Sequence, residues 1–104
     1  MFAFITHLRA KPGKRDELKA INLSMQKVTA TEPGVPVYIF HTAENDPDEF
    51  YFYDLYETED AYNAHCATPE FQHMLSKIGE LAEIKEMVKL VPFGEVKSEK
   101  LASA

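Results

Sequence analysis

Cysteine is almost absent from this 104-residue chain: Cys66 stands alone, so no intramolecular disulfide forms and no cysteine-based zinc motif can be assembled. A reducing, cytoplasmic setting is the expectation from that count. Basic residues are also few, 11 lysines and arginines against 17 acids, for a formal net charge of −6. No basic run is interleaved with aromatics, which argues against nucleic acid as a partner. The glycines Gly13, Gly34, Gly79 and Gly94 are scattered, so neither a phosphate-cradling loop nor a dinucleotide fingerprint is present. His7, His41, His65 and His73 lack any paired ligand spacing such as H-E-x-x-H, and no metal site is expected. No window approaches the roughly 18 apolar residues of a membrane span, and Met1 to His7 carry no basic leader. The expectation is a protein with no membrane role and no processed segment.

What the chain does have is apolar and aromatic side chains, 45% and 12% of the total. That suffices for one compact domain with a real core and is too little for two. Phe2 to Arg9 reads as a strand, ended by Lys11-Pro12-Gly13-Lys14. Leu18, Ile21, Met25 and Val28 then recur at three- and four-residue steps, which predicts an amphipathic helix over Lys14 to Thr31, stopped by Pro33-Gly34. Val35 to Thr42 and Phe50 to Glu57 predict two strands joined by a turn over Glu44 to Glu49. Thr58 is placed to cap a short helix carrying Ala61, Tyr62 and His65 on one face. After Thr68-Pro69, the residues Phe71, Met74, Leu75, Ile78 and Leu81 mark a further helical stripe, and Ile84 to Val91 is a last strand. The tail from about Lys97 is expected to lack order.

The order β-α-β-β-α-β is that of the ferredoxin-like α+β fold, an antiparallel sheet with helices on one face. Its strands are apolar at both parities, as in Phe50-Tyr51-Phe52-Tyr53, whereas a sheet with one wet face alternates. A second copy packed face to face would cover the open side, so a homodimer is expected.

Certain stretches carry a resemblance: Lys11-Pro12-Gly13-Lys14-Arg15, Glu32-Pro33-Gly34, Asp46-Pro47-Asp48-Glu49-Phe50, Tyr53 through His65, and Thr68-Pro69-Glu70-Phe71. In this order and spacing the chain resembles the antibiotic biosynthesis monooxygenase domain family, the small dimeric α/β-barrel proteins that include quinol monooxygenases. The likeness runs from Phe2 to about Pro92, giving a domain over 1–93 and a C-terminal tail over 94–104. Family members usually carry Glu and Trp where this chain has Asp54 and Tyr56. The resemblance implies a pocket between sheet and helices where a small aromatic substrate meets O2 without flavin, haem or metal, and hence no cofactor.

Within that frame His65 is the leading base, and its bland alternative is a core histidine bonded to a carbonyl or carboxylate. Asp54 and Tyr56 share a strand parity with Phe52, so Asp54 is placed to orient His65 or bind substrate and Tyr56 to bond a substrate oxygen. His7, Phe52, Tyr62, Phe71 and Leu75 are the remaining expected substrate contacts. His41 and His73 read as surface residues, and Cys66 as a small buried hydrophobe. Haem-degrading relatives of this layout place an iron-ligating histidine where Leu75 stands, and their strand asparagine and tryptophan correspond to His7 and Tyr56. Asn22-Leu23-Ser24 matches a glycosylation sequon by chance, inside a predicted helix. The expected function is cofactor-independent oxygenation of a quinol-like or polyaromatic substrate. The alternatives are a superfamily isomerase acting on a phosphorylated or carbonyl metabolite, and a non-catalytic ligand-binding or stress-response module.

Overall fold

The structure, a computed structural model, describes residues 1–94, and the tail from Lys97 lies outside them. The elements are β1 (Phe2–Ala10), α1 (Arg15–Thr29), β2 (Val37–Ala43), β3 (Asp46–Tyr56), α2 (Glu59–Cys66), α3 (Pro69–Leu81) and β4 (Ala82–Leu90). The four strands form one antiparallel sheet in the order β2-β3-β1-β4. The helices cover one face, giving the ferredoxin-like α+β architecture that the sequence pattern predicts.

Strand parity divides β1 into two sets. Leu8 and Ala10 enter a core built with Leu18 and Met25 of α1, Phe50 of β3 and Met74, Ile78 and Leu81 of α3. Ile5, His7 and Arg9 point the other way, to the face without helices. That open face also presents Ile39, Tyr51 and Leu90, all exposed.

Three features differ from expectation for identifiable reasons. β3 begins at Asp46, so the hairpin turn shrinks to Glu44-Asn45 and the turn-forming run Asp46-Pro47-Asp48-Glu49 is strand. Arg9 of β1 holds that run in the sheet, its Nη1 donating to Asp46 at 3.1 Å and to Glu49 at 2.6 Å. In α1 the fully buried stripe is Leu18, Asn22, Met25 and Thr29, with Ile21 and Val28 only partly covered. Both sets have helical spacing: Leu18 and Met25 are core as the apolar periodicity predicts and Ile21 packs against them, while the polar Asn22 and Thr29, which periodicity passes over, complete the buried stripe. Finally β4 follows α3 with no loop. A register shift opposite His7 and Leu8 then pairs Leu8 with Ile84 but Thr6 with Met87. Without that bulge, residues three apart would face opposite sides of the sheet; with it, Ile84 and Met87 both reach the helical side.

Helix ends follow their sequence signals. Thr58 Oγ1 accepts from Ala61 N at 3.0 Å, and Thr68 Oγ1 accepts from Phe71 N at 3.2 Å with Pro69 opening α3. Gly34 has φ +82°, and a Cβ built there would lie 2.7 Å from the Ala61 Cβ. Its carbonyl also accepts from Glu57 N at 2.9 Å. The loop after α1 is thereby pressed against the first turn of α2, a contact that only glycine allows.

Candidate functional site

That close approach assembles the site. Glu32 comes from the loop just before Gly34 and His65 from the last turn of α2, and Glu32 Oε1 lies 2.8 Å from His65 Nδ1. A carboxylate only accepts, so Nδ1 donates to Glu32, and in the neutral imidazole Nε2 is the acceptor. The bond to Glu32 occupies Nδ1, and no hydrogen bond of Nε2 is found among the described residues. The imidazole is 1% exposed and packed between Tyr38, Tyr56 and Phe71, with ring centroids 5.2, 5.5 and 5.2 Å away.

The ring lines a cavity of about 130 Å³ between the sheet and the α2–α3 layer. Asp54, Tyr56, Phe52, Tyr62, Phe71 and Leu75 line it too, so every residue singled out in the sequence except His7 meets there. Leu75, Ile84 and Met87 form an apolar rim, each more than half exposed. No lysine or arginine is among the described residues that line this space.

Asp54 is the one carboxylate among the cavity's described lining residues. The Tyr56 hydroxyl donates to Asp54 Oδ2 at 2.5 Å, and burial pushes the Asp54 carboxyl above the usual carboxylate range. Tyr56 is itself fully buried, and burial followed by the neighbouring Asp54 pushes its phenol well above the ordinary tyrosine value. Burial likewise raises Tyr38, and it brings Tyr62 to about 12. All three phenols are therefore neutral at neutral pH, and Tyr56 and Tyr62 belong to a ring of aromatic contacts with Phe2 and Phe4.

Three expectations need correction. Asp54 does not orient His65, because Glu32 does. That residue reads in the sequence only as part of the helix stop, and nothing in the local pattern links it to His65 across 33 positions. Tyr56 has its single donor engaged by Asp54, so it is not a free donor toward a substrate oxygen. His7 lies on the opposite face of the sheet, stacked on Tyr51 at 4.3 Å and bonded through Nε2 to Glu49 Oε2 at 2.5 Å. His7 first, then Arg9, holds the Glu49 carboxyl below its ordinary range. Tyr38, Met74, Ile84 and Met87 join the cavity without having been singled out. The β4 pair depends on a bulge that no hydrophobic pattern announces. Cys66 is half-buried, with its thiol pushed up by burial, while His41 and His73 are exposed.

Comparison with known proteins places this fold. The solved structure of a Chloroflexus aurantiacus J-10-fl protein, assigned by name to the antibiotic biosynthesis monooxygenases, matches with a TM-score of 0.77 and 25% identity over 92% of this chain and 96% of that one. Rv0793 from Mycobacterium tuberculosis shares the fold with a TM-score of 0.83, at 22% identity over 92% and 98%. Among curated proteins, the uncharacterized protein sll1783 of Synechocystis is 24% identical over 92 residues, or 88% of this chain. The aligned part spans 63% of that relative's length. The sequence model for antibiotic biosynthesis monooxygenases matches residues 1–77, about three quarters of the chain. The chain belongs to the antibiotic biosynthesis monooxygenase family.

Proposed function

We propose that this protein is a monooxygenase that oxidises a small, uncharged, quinol-like aromatic with O2 and needs no bound cofactor to do so. Membership in the family supports a monooxygenase-type reaction. The observation that carries the finer reading is the Glu32–His65 pair at the wall of an aromatic cavity, with Nε2 as its acceptor. A hydroquinone must lose a proton before it can give an electron to oxygen. His65 Nε2 takes that proton, and the Glu32 carboxylate stabilises the imidazolium that results. The phenolate then reduces O2 by one electron, and the oxygen radical joins a ring carbon as a hydroperoxide. Loss of water from that adduct leaves the new carbonyl. In sum, hydroquinone plus O2 gives hydroxyquinone plus water. Asp54 Oδ1, left over from the bond to Tyr56, accepts the second substrate hydroxyl.

The size and charge of the cavity support a single-ring substrate. Apolar protein cavities of about 150 Å³ hold a benzene ring, and this one is about 130 Å³. With no cationic side chain among its described lining residues, it gives a phosphorylated metabolite nothing to pair with. The exposed Ile5, Ile39, Tyr51 and Leu90 support a homodimer in which the open faces of two sheets cover each other. The test is turnover of monocyclic hydroquinones under ¹⁸O2, with products read by mass spectrometry. One labelled oxygen in the hydroxyquinone and one in water is the expected result. Unlabelled quinone with peroxide, or exchange of a carbon-bound proton for solvent deuterium without oxygen uptake, would replace oxygenation by an oxidase or an isomerase.

A further inference from the structure

The mouth of the Asp54–His65 cavity differs in chemistry from its interior. None of the described polar residues that line the cavity is exposed, and His65 and Tyr56 are fully buried. The exposed lining residues are Ile39, Leu75, Ile84 and Met87, all apolar, with the last three more than half exposed. Ile39 belongs by strand parity to the open face of the sheet, so the rim proper is Leu75 of α3 with Ile84 and Met87 of β4. The β4 bulge builds that rim. It pairs Ile84 with Leu8 and Met87 with Thr6, two β1 residues of one parity that themselves line the cavity. Lys85 and Glu86, which lie between Ile84 and Met87 in sequence, are not among the lining residues, and Lys85 Nζ donates instead to Glu83 Oε2 at 2.9 Å. Large apolar side chains left in water around one opening mark a surface that a ligand or partner covers.

We propose that this rim holds a hydrocarbon substituent of the cavity's own ligand, so that the substrate is a hydroquinone carrying an uncharged alkyl tail. The inference rests on the quinol reading and narrows it. A cavity of about 130 Å³ is filled by one ring, so a longer substituent leaves through the mouth and meets Leu75, Ile84 and Met87. The tail is uncharged because no described lining residue is a lysine or arginine, and the one carboxylate, Asp54, stands on the inner wall. For the same reason a fatty acid is a poor occupant: its carboxylate would find no cation in the cavity. A second copy of the chain seated on the open face leaves the rim uncovered, since Ile84 and Met87 lie on the helical side of the sheet.

The probes are methyl-, butyl- and hexylhydroquinone, titrated under argon into full-length protein labelled at its isoleucine and methionine methyl groups and followed by NMR. A fully buried methylene is worth about fourfold in affinity and a half-exposed rim about half that free energy, so each added methylene should tighten binding about twofold. The expected span is about eightfold from methyl to butyl, with the Ile84 and Met87 methyl signals moving more for the longer chain. In Ile84→Gln and Met87→Gln the butyl-to-methyl ratio, read within each protein, should fall to about twofold or less. Binding of all three probes with equal affinity would overturn the tail while leaving the quinol reading in place, whereas no saturable binding of any of them would overturn both. Variants that keep the eightfold span but dissociate a dimer in light scattering would assign the rim to a second copy and refute the proposal. The methyl signals of the wild-type protein decide the matter even where a variant fails to fold.

Discussion

Substituting Gly34 by alanine tests how the loop–helix contact builds the site. The residue has φ +82°, and the added methyl carbon would lie 2.7 Å from the Ala61 Cβ, which is fixed to the first turn of α2 and cannot swing aside. A non-glycine residue in the left-handed region costs roughly 1–2 kcal/mol, and forcing a methyl into a packed contact adds roughly 1–3 kcal/mol. Reduced freedom of the unfolded chain returns roughly 0.4–1 kcal/mol, leaving a net loss of about 1–4.6 kcal/mol. For a domain of this size each kcal/mol is worth about 4–8 °C in Tm, so Gly34→Ala should melt at least about 4 °C below wild type in calorimetry at matched concentration. Gly13→Ala is the control, since Gly13 also has positive φ (+77°) but nothing within 4 Å of the built Cβ. It should lose only the backbone contribution. If Gly34→Ala melts within 2 °C of Gly13→Ala, the steric reasoning fails and α2 does not depend on Gly34 for its seat.

Further outcomes follow from the site and the open face. Glu32→Gln should keep the fold by circular dichroism yet lower kcat on a hydroquinone by about 10–100-fold, because a neutral amide neither fixes the tautomer nor stabilises the imidazolium; unchanged kcat would remove Glu32 from the mechanism. Burial raises the Asp54 carboxyl in the folded state, so the folded protein binds that proton more tightly than the unfolded chain does, and stability falls as pH rises through the folded value. Asp54→Asn should therefore stabilise the protein in urea titrations at pH 7, the gain disappearing below about pH 4, where an unfolded aspartate is protonated; an equal gain at every pH would refute the assignment. Ile5→Lys on the exposed sheet face should shift light scattering from dimer to monomer at micromolar concentration, and a dimer that persists would place the interface elsewhere.

Legibility in the sequence tracked how local each signal was. Thr58 as a cap, the break at Thr68-Pro69, the first strand and the order of elements rest on neighbouring residues, and the structure has them where expected. Phe52, Asp54 and Tyr56 share a face because strand parity is a local rule, and Tyr62 and His65 share one because of helical spacing. What was not legible needed partners distant in the chain. His7 has a definite parity, but with apolar residues at both parities of β1 the sequence does not say which face meets the helices. Glu32 reaches His65 only because Gly34 lets a loop touch α2, and Ile84 joins Met87 only through the β4 bulge. The Asp46–Glu49 run has turn composition, yet Arg9 on the neighbouring strand holds it in the sheet.

Oxygen consumption by purified protein with a monocyclic hydroquinone, wild type against His65→Ala, tests the central claim most directly. Wild-type uptake well above autoxidation, falling by about 100-fold or more in the variant, is the predicted result for loss of a general base. Uptake in His65→Ala within a few-fold of wild type would contradict the account and leave the Glu32–His65 pair a structural feature of the core.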